Sequence, residues 1–449
     1  MTRPAYHYRP SKHWINDPNG LCQVDGWYHL FYQYNPHGSE WGDIHWGHAR
    51  SRDMLHWENL PVALTPDAGK REIHCFSGSC CKDGKGRPHF FYTSIGRKED
   101  GRDCVDGAQQ WMAEPQDADL IRLVQSEAYV LTDAVHGGAH VRDWRDPCVI
   151  PWQGQYLMVL GGCLEGRGCV MLYTSQDMRH WTYRHVLAQS EVQDDVPWEC
   201  PNLFYLDGKW VLFYSPCAQV MVQVGTMDDT LHFHCEREEV LDPGERQGFY
   251  APQAFRDEAG RSILLGWMPE CDGEGAVRKG WSGVMSLPRL MRVEGSRLLA
   301  DPLLGVEALA DWRDVALQPG STCLAEDGRR MMLQLRAQVA EGPLVLGLFA
   351  SADGAWETVL TLTPEGELVL DRSRSSAGEE ICRAPIRRTV ALDGGQAEVF
   401  LALDESTVEC AVNGQWLSGR VYPGKECSRV WVECAGSVEG RIGYIRDEM

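Results

Sequence analysis

The chain contains an internal repeat, and this repeat restricts the fold more than any other feature of the sequence. Five times, a glycine-containing turn leads directly into an apolar, aromatic-rich run that favours a β-strand. The turns lie 52 to 68 residues apart and contain Gly26, Gly86, Gly154, Gly208 and Gly260. Because this interval suits a four-stranded blade with long loops, the repeat predicts an all-β fold with a five-bladed β-propeller.

A second repeated motif supports this prediction. Residues 48–57 and 172–181 both end in Ser-x-Asp-Met-x-His-Trp, where a further strand of the blade is expected. Elsewhere, short alternating or aromatic runs are separated by Asp-Gly, Asn-Gly and Pro turns, and sustained helical periodicity is almost absent. We therefore expect strands throughout the chain.

Three acids occupy similar places in the repeat. Asp17, Asp146 and Glu199 each stand eight or nine residues before the glycine of a turn. In a propeller the first strand of every blade runs beside the central channel, so equivalent positions converge on its axis. In the other two blades these positions correspond to Ser77 and Pro252. The repeat thus predicts one funnel that holds three carboxyl groups.

Each acid taken alone fits a purely structural interpretation better. The Asn-Asp-Pro-Asn-Gly sequence at 16–20 is a favourable turn, because Asx side chains cap it, proline fixes φ and glycine accepts positive φ. Arg145 and Asp146 alone are typical of a surface pair, and Glu199 alone of an exposed acid. Their shared position in three blades is what favours a functional site.

The sequence changes in character near residue 300. Aromatic residues become sparser, residues 301–314 look like a short amphipathic connector, and short alternating strands follow. We predict a propeller domain at 1–300, a linker at 301–314 and a C-terminal β-sandwich at 315–449. Because the second domain holds few clustered acids, a structural or dimerising role is favoured over a second active site.

The composition limits the classes of partner. The net charge of −21 argues against nucleic acid, anionic membrane or polyphosphate as the main partner, because those ligands need a basic surface. The segment at 1–14 lacks the apolar stretch of a signal peptide, and no apolar run reaches the roughly 18 residues of a membrane span. We therefore expect a cytoplasmic protein.

The cysteine content does not indicate a disulfide framework or a metal site. There are 17 cysteines, an odd number scattered over a long chain, which favours reduced thiols that fill the core. Cys75, Cys80 and Cys81 lie close together but lack paired Cys-x-x-Cys spacing. No metal ligand set is predicted.

An acid trio in an aromatic-walled funnel suits hydrolysis of a glycosidic bond. One carboxyl protonates the leaving oxygen, another attacks the anomeric carbon or activates water, and a third can support the cationic transition state. Sugar faces stack on aromatic rings, and their hydroxyls need polar partners. The candidates near the blade starts are Trp14, Asn16, Gln33, Trp41, Phe76, Ser77, Arg145 and Trp267, whereas Trp46 and Trp57 are expected to pack between strands.

These motifs resemble those of glycoside hydrolase family 32, which contains invertases, sucrose-6-phosphate hydrolases and fructanases. The resemblance covers both parts of the chain. It rests on residues 14–20, 33–36, 41–42, 45–57, 76–79, 145–147, 198–201, 249–255 and 281–289, and in the second domain on 369–373 and 406–414.

The resemblance implies a five-bladed propeller with a β-sandwich and a retaining enzyme acting on terminal, non-reducing β-D-fructofuranosyl units. Asp17 would be the nucleophile, Glu199 the general acid and then base, and Asp146 beside Arg145 would bind fructose hydroxyls and stabilise the transition state. The positions that match the family's fructose subsite are Asn16, Gln33, Trp41, Phe76, Ser77 and Trp267. The mechanism needs no metal or organic cofactor. The expected partner is a small fructoside, and the sandwich offers a surface for a homo-oligomer.

Retention predicts that the Asp17 and Glu199 carboxyl groups lie roughly 5 Å apart. Glu199 must be protonated while Asp17 is ionised. Because a neighbouring negative charge raises the pKa of a carboxyl group, we expect their proximity to raise the pKa of Glu199 and to give a mildly acidic optimum.

Substrate and reaction balance stay open at this stage. Asn202 stands where many family members that split sucrose carry Asp, which puts the leaving-group side in doubt. Sucrose, sucrose 6-phosphate and short fructo-oligosaccharides all fit. The alternatives to a hydrolase are a fructosyltransferase using the same covalent intermediate and a non-catalytic carbohydrate-binding propeller.

Overall fold

The computed structural model describes residues 3–97, 103–271, 279–303, 305–376 and 381–445. Within these ranges, 34 strands form seven sheets, joined by loops and short 3-10 turns. The all-β prediction is confirmed. No helix in the described part of the chain is long and apolar enough to cross a membrane.

Five sheets are blades that follow one another along the chain, each with four main strands. The first contains β1 (His13–Val24), β2 (Trp27–Asn35), β3 (His45–Ser51) and β4 (Trp57–Leu64). The second contains β5 (Glu72–Lys82), β6 (Pro88–Arg97), β7 (Asp103–Pro115) and β8 (Leu123–Gln125). The third contains β9 (Val141–Trp152), β10 (Gln155–Leu164), β11 (Arg167–Ser175) and β12 (Thr182–Gln189). The fourth contains β13 (Glu199–Leu206), β14 (Lys209–Ser215), β15 (Val220–Met227) and β16 (Phe233–Asp242). The fifth contains β17 (Tyr250–Arg256), β18 (Ser262–Met268), β21 (Arg289–Glu294) and β22 (Arg297–Pro302).

The blades form a closed ring. The inner strands β1, β5, β9, β13 and β17 contact one another in that order, and β17 contacts β1. Two short strands, β19 (Trp281–Ser282) and β20 (Val284–Met285), lie between β18 and β21 in the chain. Because β19 pairs in parallel with the start of β1, the fifth blade's connection is bonded to the first blade.

The repeated glycines stand at the hairpins between the first and second strand of each blade. All five have φ between 74° and 84°, a left-handed conformation that a residue with a Cβ atom adopts only with strain. The conformation of this hairpin is thus the physical reason for the repeat.

The repeated Ser-x-Asp-Met-x-His-Trp motif folds into the same loop in the first and third blades. Ser51 Oγ donates to Asp53 across 2.9 Å, His56 Nδ1 lies 2.7 Å from the same carboxylate, and the Trp57 indole donates to the Met54 carbonyl at 3.0 Å. The third blade repeats these contacts with Ser175, Asp177, His180, Trp181 and Met178. Trp46 is fully buried in a core cluster and Trp57 packs against two others, as the sequence predicted.

Two six-stranded sheets follow the propeller and face each other across an apolar core. One contains β23 (Ala310–Leu317), β25 (Arg330–Gln338), β30 (Gln396–Asp404), β31 (Thr407–Val412), β32 (Gln415–Arg420) and β34 (Val438–Ile445). The other contains β24 (Gly320–Ala325), β26 (Leu344–Ala350), β27 (Glu357–Leu362), β28 (Glu367–Arg374), β29 (Ile386–Thr389) and β33 (Arg429–Cys434). This is the expected β-sandwich.

Between the propeller and the sandwich, β22 ends at Pro302 and β23 begins at Ala310, with a 3-10 turn at Val306–Leu309. Strand β23 therefore includes residues that the sequence assigned to a linker. The domain limits at 300 and 315 stay predictions.

A buried ion-pair network joins the two parts. His7, which precedes β1, lies 3.0 Å from Asp404 and 2.8 Å from Glu409 of the sandwich. Arg289 of the fifth blade contacts Glu409 at 2.9 Å and Asp242 at 3.0 Å. Burial alone would lower the pKa of His7, but hydrogen bonds to the two carboxylates outweigh it and raise the pKa to about 9.

The cysteines whose side chains are described are free thiols, and most are buried. Within the described ranges, no group of three or more His, Cys, Asp or Glu side chains is arranged to hold a metal ion.

Candidate active site

Each of the five inner strands contains a β-bulge. The paired register skips two residues of the inner strand opposite one of the second strand in every blade, at 16–17, 76–77, 146–147, 200–201 and 251–252. A bulge bends the strand and redirects side chains. Asp17 and Asp146 lie in two of these bulges, and Glu199 lies next to a third.

The three acids do not share one register position, contrary to the sequence prediction. Asp146 is the first residue of its bulge, Asp17 is the second, and Glu199 is the last paired residue before its bulge. Cys200 and Ala251 take the first bulge position in their blades, and both have positive φ, as Asp146 does. The number of residues between the bulge and the glycine turn differs from blade to blade. Counting back from the glycine therefore does not reveal this offset.

Asp17 lies at the end of a chain of hydrogen bonds that joins five of the predicted site residues. The Trp14 indole donates to Asn16 (2.7 Å), the Asn16 amide to Gln33 (3.1 Å) and the Gln33 amide to Ser77 (2.7 Å). Ser77 Oγ donates to Asp17 Oδ2 at 2.5 Å, and the Asn16 amide also donates to Asp17 Oδ1 at 3.0 Å. The network fixes the orientation of the Asp17 carboxylate.

Cys200 connects Asp17 with Asp146. Its backbone N–H donates to Asp146 Oδ2 at 2.9 Å, and its Sγ lies 3.3 Å from Asp17 Oδ2. Arg145 Nε lies 3.8 Å from the same Asp146 oxygen. Three blades thus contribute to one compact polar cluster.

Glu199 is held between two arginines and a tyrosine. Arg145 donates to Oε1 at 2.6 Å, Arg246 donates to Oε2 at 3.2 Å, and the Tyr250 hydroxyl also donates to Oε2. The exposed Cys217 places its Sγ 3.7 Å from Oε2. Each carboxylate oxygen therefore has at least one charged partner.

Aromatic rings border this cluster. Trp41 is half exposed and contacts Phe76 edge-on at 6.2 Å between ring centroids. Trp267 contacts Trp14 edge-on at 5.7 Å. The structure thus connects all eleven predicted site residues through hydrogen bonds, ion pairs, ring contacts or adjacent positions in a strand.

The protonation behaviour of the acids follows from these contacts. Burial raises the pKa of Asp17, hydrogen bonds from Ser77 and Asn16 oppose this, and the charge of Glu199 adds to the increase. Burial raises the pKa of Asp146 to about 7 despite the opposing charge of Arg145. Two carboxyl groups in the funnel therefore bind protons more tightly than ordinary aspartic acids do.

Glu199 behaves in the opposite way, and this corrects the expected pKa order. Burial favours its neutral form, but the charge of Arg145, the Tyr250 hydrogen bond and the charge of Arg246 outweigh burial, so its pKa is lowered. Repulsion between carboxylates alone does not determine the pKa of Glu199. The cations near Glu199 have the larger effect.

The side-chain amide of Asn202 is bonded to backbone groups on both its oxygen and its nitrogen, and its bearing on the leaving group stays a prediction. The residue is buried, and its amide donates to the carbonyls of Cys200 and Pro252, both at 3.2 Å. Its Oδ1 accepts from the Ala254 backbone N–H at 3.0 Å. Asn202 bonds the fourth blade to the fifth.

Three residues of the site were not identified from the sequence: Cys217, Arg246 and Tyr250. Tyr250 precedes the bulge of its blade, as Glu199 does, so alignment of the bulges would have found it. Cys217 and Arg246 lie in loops after β14 and β16. No repeated pattern marks these loop positions.

The sequence of the chain matches the model of a known protein family. The model of the glycosyl hydrolases family 32 N-terminal domain matches residues 7–302, more than half of the chain. The chain belongs to glycosyl hydrolase family 32. The family resemblance in the sequence is confirmed.

Relatives of this family 32 protein match both its sequence and its fold. It is 30% identical to the sucrose-6-phosphate hydrolase of Zymomonas mobilis, covering 94% of this chain and 87% of the relative. It is 35% identical to the raffinose invertase of Escherichia coli, covering 68% and 66% of the two chains. The fructan 1-exohydrolase IIa of Cichorium intybus superposes with a TM-score of 0.87 at 23% identity, covering 99% and 97%, which shows a shared fold. The Bombyx mori β-fructofuranosidase, solved in complex with sucrose, gives 0.82 at 26% identity, covering 99% and 94%.

Proposed function

We propose that this glycoside hydrolase releases terminal, non-reducing β-D-fructofuranosyl units by double displacement with retention. The substrate candidates are sucrose, sucrose 6-phosphate and short fructo-oligosaccharides. The names of the relatives, which include a sucrose-6-phosphate hydrolase and a raffinose invertase, support fructoside hydrolysis. We also propose a cytoplasmic location, as the sequence suggested.

In the first step, Asp17 attacks the anomeric carbon of the fructosyl unit. The bond between that carbon and the glycosidic oxygen breaks, and Glu199 donates its proton to the departing oxygen. The product is an ester between Asp17 and fructose. Hydrogen bonds from Asn16 and Ser77 hold the Asp17 carboxylate in position for this attack.

In the second step, the ionised Glu199 removes a proton from water, and the water oxygen attacks the same carbon. The ester bond breaks, the Asp17 carboxylate is restored, and Glu199 regains a proton. Two inversions give net retention. Asp146, fixed by the Cys200 N–H, stabilises the positive charge that develops on the sugar ring in both steps.

The observation that carries the proposal is the polar cluster made by three blades. Asp17, Asp146 and Glu199 come from β1, β9 and β13, and Cys200 and Arg145 connect them. A structural role for this cluster is a poor alternative, because two of the carboxyl groups have raised pKa values that make their ionisation costly to the fold.

The test is release of free fructose from sucrose, sucrose 6-phosphate and 1-kestose by the wild type, Asp17→Ala and Glu199→Ala. We expect fructose from the wild type and a loss of several orders of magnitude in both variants. Hydrolysis by Asp17→Ala at the wild-type rate would refute the proposal. Fructosyl-sugar products instead of free fructose would indicate the transferase alternative.

A further inference from the structure

The two arginines that contact Glu199 differ in exposure and in their other partners. The Arg145 side chain is only 13% exposed and also contacts Asp143 at 2.9 Å. The Arg246 side chain is 54% exposed, and Glu199 is the carboxylate that it contacts. About half of the Arg246 side chain is therefore open to solvent.

The backbone around Arg246 packs closely against the sandwich. It belongs to a 3-10 turn at Glu245–Gln247, flanked by Gly244 and Gly248. A Cβ atom at these glycines would meet the Ser418 carbonyl oxygen at 2.6 Å and 2.1 Å, so only glycine permits this approach. The Gln247 side chain also accepts a hydrogen bond of 2.7 Å from Arg372 of β28. The Arg246 side chain is thus half exposed, while the backbone around it is held in place.

Arg246 and Arg145 contact different oxygens of the Glu199 carboxylate. Arg145, the neighbour of Asp146, contacts Oε1, whereas Arg246, Tyr250 and Cys217 contact Oε2. Under the proposed function, the fructosyl unit lies at Asp17 and Asp146 and the leaving sugar lies beyond Glu199. Arg246 and the exposed Cys217 therefore border the space for the leaving sugar.

The negative charge near this space disfavours an anionic leaving sugar, and an arginine can offset that repulsion. The funnel holds three carboxyl groups, so a substrate with an anionic leaving group would be repelled unless a cation compensated. Guanidinium groups bind phosphate through paired N–H donors in fixed geometry. In the structure, Glu199 is the anion that Arg246 binds.

We propose that Arg246 binds a phosphate group on the leaving sugar, so that the preferred substrates are fructosides with a phosphorylated leaving group. This inference rests on the proposed function and specifies its substrate class. When the phosphate takes over the hydrogen bond from Arg246, Glu199 loses one of its cationic partners. Loss of that partner favours the protonated form of Glu199 that the first step requires.

The test compares kcat/KM for fructose release from sucrose 6-phosphate and from sucrose. The variants are Arg246→Gln, Arg246→Lys and the control Arg179→Gln. Arg179, which follows β11 of the third blade, is a matched control because its side chain is 52% exposed and contacts one carboxylate, Glu114 of the second blade, at 2.9 Å.

We expect the wild type and Arg179→Gln to prefer sucrose 6-phosphate by roughly tenfold to a hundredfold, the contribution of hydrogen bonds to a charged group. Arg246→Gln brings the ratio close to one, and Arg246→Lys retains part of the preference. A ratio near one in the wild type, or an unchanged ratio in Arg246→Gln, would overturn the role of Arg246. Absence of fructose from both substrates would instead overturn the proposed function.

A second measurement uses the wild type alone and does not depend on variants that fold. Glucose 6-phosphate should inhibit fructose release from sucrose at lower concentration than glucose does, by a similar factor. Equal inhibition by the two sugars would contradict a phosphate site in the leaving-group space.

Discussion

The Sγ atom of Cys200 lies 3.3 Å from Oδ2 of Asp17, so a thiol of the fourth blade contacts a carboxylate of the first. The backbone N–H of the same residue donates to Asp146 of the third blade. Burial and the nearby charge of Asp146 raise the pKa of the Cys200 thiol, which keeps it protonated and able to donate. One residue thereby connects the proposed nucleophile with the proposed transition-state stabiliser.

Cys200→Ala removes this donor from Asp17 and should reduce kcat/KM roughly five- to tenfold, the effect of about 1 kcal/mol of hydrogen bonding. Cys200→Ser keeps a donor and should retain most of the activity. The measurement is steady-state fructose release by both variants. Equal losses in Ala and Ser would show that the contact to Asp17 does not contribute.

Glu199→Gln should change the shape of the pH profile. The substrate for this variant is a phenyl fructoside, because phenolate can leave without being protonated by Glu199. With this substrate, kcat/KM of the variant should rise with pH to a plateau as Asp17 and Asp146 ionise. For the wild type acting on sucrose, the plot of kcat/KM against pH should instead be bell-shaped. Because the pKa of Asp17 is raised and that of Glu199 is lowered, the alkaline limb should report Asp17 and Asp146 and the acidic limb Glu199. An alkaline fall that persists in Glu199→Gln would contradict this assignment.

Asp146→Asn should stabilise the protein at neutral pH. The folded-state pKa of about 7 lies above the ordinary value of 3.8, so the wild type loses stability as pH rises through this window. The gain from the substitution should grow between pH 4 and pH 8 and reach at most about 4 kcal/mol. Denaturant unfolding at several pH values measures it.

Asp177→Asn is the matched control for this prediction. Burial alone would raise the pKa of the Asp177 carboxyl, but hydrogen bonds from His180, Arg179 and Ser175 outweigh burial and lower it. Its contribution to stability is present above the ordinary pKa and is lost as pH falls. This control should therefore destabilise the protein at neutral pH. A stabilisation by Asp146→Asn that does not vary with pH would contradict the account.

Asn202→Asp should destabilise the contact between the fourth and fifth blades. A carboxylate cannot donate to the Cys200 and Pro252 carbonyls, and it would place negative charge beside both oxygens. We expect a loss of about 2–4 kcal/mol at pH 8 and a smaller loss at pH 5, where the carboxyl can protonate.

Asn413→Asp is the control for Asn202→Asp, because the Asn413 amide makes the same pattern of bonds in a more exposed loop. Its loss of unfolding free energy should be clearly smaller. Equal losses would mean that burial between the blades does not determine the cost.

Much of the fold and the acid cluster could be predicted, because each blade repeats the same local backbone conformations and hydrogen bonds. Gly26 and its counterparts mark hairpins that require positive φ, and the Asp53 and Asp177 loops repeat with the same contacts. These requirements act within a few residues of the chain. They are therefore visible in the sequence.

The electrostatics of Glu199 could not be predicted, because its partners come from distant parts of the chain. Arg246 lies 47 residues away and Arg145 54 residues away, and each reaches Glu199 only through the assembled ring. The hydrogen bonds of Asn202 could not be predicted for the same reason. Its buried setting depends on Pro252 and Ala254 of the next blade.

The central claim is that Asp17 forms a covalent ester with fructose, and the most direct test is peptide mass analysis of Glu199→Ala after reaction with a phenyl fructoside. The good leaving group allows the first step without an acid, and loss of the base slows hydrolysis, so the ester accumulates. We predict one added fructosyl unit on the peptide that contains Asp17. A fructosyl unit on another residue, or turnover with inversion and no adduct, would contradict the account.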